Sequence, residues 1–152
     1  MGKTQFLYDD DGNQVQTTQL PTDNSTANSQ VETTLYGYNN RFAVAKISGV
    51  AYSAIPQSLI ADIKTKSNLP WSQQNQDSLQ IELNKLYKQF PNAMITTYTY
   101  NPVYGLTSTT DQRRHTIYKE YDVFGRPTIT KEKKEAGGFS ILSENKYNTR
   151  PN

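Results

Sequence analysis

A hexapeptide at 121–126, with the pattern Tyr-Asp-x-x-Gly-Arg, restricts the possible folds of this chain more than any other segment, and a close copy stands at 8–13. In such a segment a strand ends at the tyrosine. The aspartate carboxylate then accepts hydrogen bonds from backbone N–H groups two residues further on, which begins a turn. The glycine adopts the left-handed conformation of a G1 bulge, which other residues adopt only at a cost. Each copy therefore predicts a β-hairpin.

The two copies define the predicted structural turn positions. These are Tyr8, Asp9, Gly12, Asn13, Tyr121, Asp122, Gly125 and Arg126. In the second copy, Val123 and Phe124 are the expected central pair of a type I turn, and Arg126 opens the returning strand close enough to contact Asp122. Two hairpin-forming segments far apart in one chain are typical of an array of repeats.

The composition favours a sheet that is only half buried. Of the 152 residues, 34% are hydrophobic, against roughly 45–50% in an ordinary globular domain. We therefore expect one domain with a core that is small or shared with other segments. Eleven tyrosines partly compensate, because each presents an apolar ring and a polar hydroxyl that suit a sheet with one wet face.

Composition also excludes or disfavours several kinds of site and partner. The chain contains no cysteine, which excludes disulfides, thiolate metal sites and cysteine nucleophiles. The net charge of +2 produces no strong field that would favour nucleic acid or acidic membranes. No apolar run approaches the roughly 20 residues that a bilayer-spanning helix needs. We expect no nucleic-acid partner and no membrane span.

Hydrophobic periodicity divides the chain into three parts within a single predicted domain over 1–152. Strands are predicted over 1–50, a helical insertion over about 53–90, and strands again over 94–148. Of the C-terminal strands, the last four are predicted to form an antiparallel meander. The predicted fold class is α+β and β-dominated, built of antiparallel hairpins with an inserted two-helix hairpin.

Two helix starts are predicted within the insertion. Ser53 is a candidate N-cap of the first helix, with Pro56 tolerated in its first turn. Asp77, with Gln80 three residues on, resembles a capping box for the second helix, and Pro91 ends that helix. We expect the two helices to pack together on the sheet.

The ordered set of motifs resembles the Rhs or YD-repeat proteins, in particular the Bacteroidetes-type Rhs repeat-associated proteins, from about Tyr8 to Asn148. Besides the two hexapeptides, five segments carry the resemblance. They are Tyr36 to Asn39, Ala45 to Ile47, Pro91 to Tyr100, Tyr104 to Ser108, and Ile141 to Asn145. Because the similarity begins within a repeat, we expect the chain to be a segment of a longer, exported protein.

The resemblance implies a structural role without catalysis or cofactors. Proteins of this family assemble repeat strands into a hollow β-shell, often enclose a C-terminal toxin or other effector, and are delivered to the cell surface or secreted. Neighbouring repeats of the same parent protein, and the enclosed effector, are the implied partners. Lys119 stands at a place that is usually aromatic, and Pro127 replaces the leucine that commonly follows Gly-Arg. The Asp-Pro-x-Gly signature of the self-cleaving core is absent, so self-cleavage and toxin activity are not assigned to this segment.

The tyrosines allow two interpretations. Tyrosines on a sheet can hold strands together, or form an exposed platform on which sugar rings stack. The family resemblance favours the first interpretation, because its repeat tyrosines line the inner side of a shell. A carbohydrate-binding or adhesion module is the alternative, with Tyr98, Tyr100 and Tyr118 as the candidate platform.

Four further features have simple structural explanations. His115, the only histidine, is interpreted as a strand-edge residue and not as a metal ligand. The acidic stretch at 9–11 is too short for a calcium loop of the EF-hand type and is explained by the turn. Glu120 and Asp122 are expected to pair with nearby arginines and not to catalyse. The glycosylation-like sequence at Asn24 is interpreted as a chance match.

Overall fold

Nine antiparallel strands follow one another in chain order to form a single sheet in the computed structural model, which describes residues 2–23, 28–134 and 136–148. The strands are β1 (Lys3–Tyr8), β2 (Gln14–Leu20), β3 (Gln30–Gly37), β4 (Phe42–Ser48), β5 (Met94–Asn101), β6 (Gly105–Thr110), β7 (Thr116–Tyr121), β8 (Pro127–Lys133) and β9 (Phe139–Glu144). Each strand pairs with the next one in sequence. The meander predicted for the C-terminal part therefore extends over all nine strands.

Two helices lie between β4 and β5. They are α1 (Gln57–Ser67) and α2 (Gln73–Gln89), and a short 3-10 turn at Tyr52–Ala54 precedes them. Although this insertion separates them in sequence, β4 and β5 are hydrogen-bonded neighbours, with Ile47 opposite Ile95. The predicted fold class is confirmed: the fold is α+β, dominated by an antiparallel sheet, and carries an inserted helical hairpin. None of the helices among the described residues has the length and apolar character needed to cross a membrane.

Both predicted helix starts are wrong by several residues. Ser53 lies in the 3-10 turn, and α1 begins after Pro56, which makes no side-chain cap. Asp77 lies inside α2, whose N-cap is Ser72; its hydroxyl accepts a hydrogen bond from the backbone N–H of Asn75 at 3.1 Å. The first turn of α2 is entirely polar, so the apolar periodicity that indicates a helix begins only in its second turn.

The hydrophobic core lies between the helical hairpin and the centre of the sheet. Its members come from α1, α2 and strands β3 to β5. The residues least accessible to solvent are Leu35, Val44, Ala45, Ile47, Ile55, Ile63, Leu79, Leu83, Leu86 and Ile95. Truncation of one such leucine or isoleucine to alanine typically costs about 2–5 kcal/mol. In the described part of β6 to β9, no hydrophobic side chain joins this core, so only the middle of the sheet is covered by helices.

Candidate functional site

The hexapeptide at 121–126 forms a closed hairpin turn between β7 and β8. The backbone N–H of Gly125 donates to the carbonyl oxygen of Asp122 at 3.0 Å, and Gly125 has φ +75°. One carboxylate oxygen of Asp122 accepts hydrogen bonds from the backbone N–H groups of Phe124 at 2.9 Å and Arg126 at 3.0 Å. The other accepts from Nε of Arg126 at 2.8 Å. The backbone N–H of Arg126 is the main cause that holds the pKa of Asp122 below its ordinary value.

The copy at 8–13 forms the same turn between β1 and β2. The N–H of Gly12 donates to the carbonyl oxygen of Asp9 at 3.0 Å, and the Asp9 carboxylate accepts from the N–H of Asn13 at 2.8 Å. Partial burial acts to raise the pKa of Asp9, but hydrogen bonds from Asn13 and the charge of Lys64 lower it overall. Lys64 of α1 lies 3.5 Å from Asp9 and 3.3 Å from Asp11. These carboxylates are therefore occupied by the turn and by an ammonium group.

A tyrosine occupies the same place in four successive hairpins. Each of the pairs β1–β2, β3–β4, β5–β6 and β7–β8 has a register shift near the end of its first strand. The residue immediately after the shift is Tyr8, Tyr36, Tyr100 and Tyr121, respectively. A bulge at a fixed place bends each hairpin in the same way, so the sheet is a series of four equivalent hairpins followed by β9.

The hydroxyls of Tyr36, Tyr100 and Tyr121 join each hairpin to the one before it. Each donates to a backbone carbonyl at the start of the preceding even-numbered strand: Tyr36 to Gln14 at 3.3 Å, Tyr100 to Ala43 at 3.0 Å, and Tyr121 to Leu106 at 2.6 Å. Tyr147, just after β9, donates likewise to Pro127 at 2.8 Å. We call this hydrogen bond the tyrosine clasp. At that end of the sheet, tight turns join only the two strands within each hairpin. The clasp therefore links one hairpin to the next.

Tyr8 has the position of a clasp tyrosine and makes no clasp. Its side chain is 57% exposed, and within residues 2–23, 28–134 and 136–148 its hydroxyl meets no carbonyl. The cause is topological, because β1 is an edge strand and pairs only with β2. All six residues of β1 are exposed.

The three tyrosines of the predicted glycan platform do not form one surface. Tyr100 stacks on Phe42 at 4.5 Å between ring centroids and makes a clasp, so it holds strands together. Thr99 lies on the helix side of the sheet, and Tyr118 shares that side because both are opposite Ser108 on neighbouring strands. Tyr98 alternates with Thr99 along β5 and so lies on the opposite side.

Tyr118 lies in a cleft of about 790 Å³ between the start of α2 and the uncovered part of the sheet. We call it the α2 cleft. Its helix wall is formed by Gln73, Gln76, Asp77 and Gln80, and its floor by Thr99, Ser108, Tyr118 and Lys131. These four floor residues stand opposite one another across β5, β6, β7 and β8. Four further aromatic residues, Trp71, Tyr104, Tyr121 and Phe139, and the charged residues Lys119, Glu120 and Lys133 also line it.

The remaining candidates make structural contacts. Nε2 of His115 lies 2.5 Å from the Glu132 carboxylate. Glu120 pairs with Lys131 on the neighbouring strand, and not with an arginine as predicted. No group of three or more histidine and carboxylate side chains among the described residues could hold a metal ion. The predicted chance match at Asn24 lies outside the described residues.

Sequence reasoning did not find the α2 cleft. Asp77 is predicted as a helix cap, and that pattern does not indicate a cleft. The only available signal is Trp71 beside a polar run of three glutamines and one asparagine at 73–76. The chain matches none of the protein-family models with which it was compared, and a comparison with curated proteins finds no similar sequence.

Proposed function

We propose that this chain is a structural, non-enzymatic segment of a longer Rhs- or YD-repeat-type protein, in which it forms part of the wall of a β-shell. The observation that carries the proposal is the tyrosine clasp, which recurs at the same place in successive hairpins. Because this hydrogen bond joins each hairpin only to the previous one, the series can continue with any number of further hairpins. Such nearest-neighbour contacts are the basis of repeat architectures.

The exposed edge at β1 supports the same function. Edge strands present unpaired N–H and C=O groups that can pair with a further strand, and proteins usually blunt them. Tyr8 of β1 has the position in its hairpin that the three clasp tyrosines have in theirs, and their hydroxyls bond to the strand that precedes them in the sheet. A strand added antiparallel to β1 would begin beside Tyr8 and would bring a backbone carbonyl to its hydroxyl. We infer that a preceding repeat of the parent protein supplies that strand.

The wider role follows from the family resemblance. The partners are neighbouring repeats of the same parent protein and an effector or toxin domain that the shell encloses. The parent protein is displayed at the cell surface or secreted. The helical hairpin is an insertion between two repeats, and it supplies the hydrophobic core that the thin repeat sheet lacks.

The experiment compares the isolated chain with the polypeptide encoded by the complete reading frame. Amide hydrogen exchange is measured along β1 in both. We expect the N–H groups on the outer edge of β1 to exchange rapidly in the isolated chain and slowly in the longer polypeptide, because a new strand would engage them. The N–H of Val123, in an exposed turn that has no strand to gain, is the internal control and should exchange rapidly in both.

A variant makes the test specific to the clasp. Tyr8→Phe should leave the stability of the isolated chain unchanged and should destabilise the longer polypeptide by about 1 kcal/mol, the usual net contribution of one hydrogen bond. Equal exchange of β1 in the two proteins would reject the proposal. A reading frame that encodes no strand before β1 would reject it as well.

A further inference from the structure

The α2 cleft has the size and composition of a ligand site, which the proposed wall function does not require. Its volume of about 790 Å³ lies within the roughly 300–1,000 Å³ of typical small-molecule sites. Aromatic rings and polar side chains alternate around it, whereas the hydrophobic core lies elsewhere, between the helices and β3 to β5. A cleft that served only to pack α2 on the sheet would be lined by aliphatic residues.

Four of the five aromatic rings of the cleft contact one another in pairs. Tyr118 meets Phe139 edge to face at 5.5 Å between centroids, and Tyr104 lies 6.0 Å from Tyr121. The hydroxyl of Tyr121 is fixed in a clasp. Trp71, at the opposite rim, is 48% exposed. Ordered rings that keep one face open give a ligand flat apolar surfaces at a low cost in conformational entropy.

Several polar groups between the rings are paired with one another, and the charged side chains of the lining are Asp77, Glu120, Lys119, Lys131 and Lys133. Nε2 of Gln73 donates to the Asp77 carboxylate at 2.9 Å, which orients that carboxylate at the rim. Thr99 and Ser108 hydroxyls lie 2.6 Å apart on the floor. Glu120 forms an ion pair with Lys131. Burial, together with the negative charge of Asp77, raises the pKa of Tyr118.

This combination favours one chemical class of ligand. An oligosaccharide has C–H faces that stack on aromatic rings and hydroxyl groups that bond amides, hydroxyls and carboxylates. An apolar ligand would remove water from Asp77 and from the Glu120–Lys131 ion pair without offering hydrogen bonds in return, at a cost. A nucleic acid strand needs a groove with a strong positive charge, and here Asp77 and Glu120 nearly balance the lysines.

We propose that the α2 cleft is an oligosaccharide-binding site, in which the rings of Trp71, Tyr104 and Tyr118 stack on sugar faces and Gln73, Asp77 and Gln76 bond to sugar hydroxyls. The site differs from the platform predicted from the sequence, since it excludes Tyr98 and Tyr100. It also does not depend on the wall function. A chain that binds sugars but adds no strand at β1, or the reverse, would separate the two proposals.

The chain offers a built-in probe of the cleft, because Trp71 is its only tryptophan. Immobilised neutral and acidic oligosaccharides are first screened with the folded chain, and those retained are titrated while tryptophan emission is followed. We expect a saturable change with a dissociation constant of about 10 μM to 1 mM, as for a shallow site of this kind. Matching single-stranded oligonucleotides are titrated in parallel and should give no change.

Three variants locate the binding. Tyr118→Ala should weaken the titrated oligosaccharide by about tenfold or more, since it removes a central ring. Gln73→Ala, an exposed change at the rim that leaves the core untouched, should weaken it by about threefold through the loss of one hydrogen-bonding group. Tyr98→Ala removes the same ring on the opposite face and should leave the affinity within about twofold.

The proposal is overturned if no oligosaccharide is retained, or if a retained one leaves Trp71 emission unchanged. It is also overturned if Tyr98→Ala weakens binding as much as Tyr118→Ala, or if an oligonucleotide gives the same saturable response. If Tyr118→Ala fails to fold, the affinities of Gln73→Ala and Tyr98→Ala are compared by the same titration, and that comparison decides.

Discussion

Arg114 occupies, in the turn between β6 and β7, the same left-handed position that Gly125 occupies between β7 and β8. Their φ angles are +63° and +75°. Both N–H groups donate to the carbonyl three residues earlier, Arg114 to Asp111 and Gly125 to Asp122, each at 3.0 Å. Asp111 also accepts two backbone hydrogen bonds through its carboxylate, at 2.9 Å each. One turn is therefore relaxed by glycine, and the other is held in the same form by hydrogen bonds despite a side chain.

Arg114→Gly should stabilise the protein by about 0.5–1 kcal/mol. A non-glycine residue in the left-handed region costs about 1–2 kcal/mol, and the greater freedom of glycine in the unfolded chain offsets part of the gain. Urea unfolding followed by circular dichroism measures the difference. Gln112→Gly, two residues earlier in the same exposed turn, increases the conformational freedom of the unfolded chain without relieving backbone strain. It should therefore destabilise the protein. Equal effects of the two variants would contradict the turn assignment.

Gly125→Val should destabilise the protein by about 1 kcal/mol or more, because a branched side chain is strained at positive φ. A Cβ at Gly125 would also lie 3.2 Å from Cδ1 of Tyr104. Gly12→Val is the matched variant, since Gly12 has φ +83° and open space around its Cα. The melting temperature of Gly12→Val reports backbone strain alone, and any additional loss in Gly125→Val reports the contact with Tyr104. An unchanged melting temperature for Gly125→Val would contradict the assigned conformation.

Stability should fall in acid as the turn carboxylates become protonated. Hydrogen bonds from Arg126 lower the pKa of Asp122 in the folded state below its ordinary value of 3.8. The contribution of Asp122 is therefore complete above that value and is lost as the pH falls through the lower, folded-state pKa. In Asp122→Asn, the free energy of unfolding measured with urea should fall less steeply between about pH 5 and pH 2 than in the parent chain. A pH profile that Asp122→Asn leaves unchanged would refute the role of Asp122.

Tyr38→Phe should destabilise the protein by about 2–3 kcal/mol, because it leaves two buried polar groups unpaired. The Tyr38 hydroxyl donates to Oε1 of Gln76 at 2.9 Å and accepts from the backbone N–H of Tyr100 at 2.8 Å, and the side chain is 4% exposed. Tyr36→Phe removes a long clasp bond near solvent and should cost less than about 1 kcal/mol. Chemical denaturation of both variants tests the order, and a smaller loss for Tyr38→Phe would contradict it.

The same hydroxyl makes the protein sensitive to alkali. Burial raises the pKa of Tyr38 from 10.0 to about 12. Since the folded-state pKa is the higher one, the stabilising contribution is complete below pH 10.0 and is lost as the pH rises towards about 12. Tyr38→Phe should show a shallower loss of stability across this interval than the parent chain. A parallel pH profile for both proteins would show that Tyr38 does not titrate as described.

Local hydrogen bonding made the turns at Asp9 and Asp122 predictable from the sequence, but it does not explain the turn between β3 and β4. At Asp9 and Asp122, the carboxylate and the glycine that shape the turn lie within five residues of each other, so their pattern is visible. The turn after Gly37, at 38–41, has neither. There Tyr38, Asn39 and Asn40 all have positive φ, and the N–H groups of Tyr38 and Asn39 are satisfied by Ser67 and Asn68 at the end of α1. Only the packing of that helix explains this turn.

Periodicity and turn chemistry act over a few residues, and for that reason the amino-acid sequence alone specified the antiparallel strands, the inserted helices and the hairpins at Asp9 and Asp122. The partners of the tyrosines depended on distance in space. Tyr100 bonds to Ala43, which precedes the whole helical insertion in sequence, and Tyr118 faces α2 across the cleft because the sheet extends beyond its core. Which tyrosines join strands, which one faces a cleft, and why Tyr8 is left at an edge were decided only by the tertiary structure, since these contacts join residues with no shared local pattern.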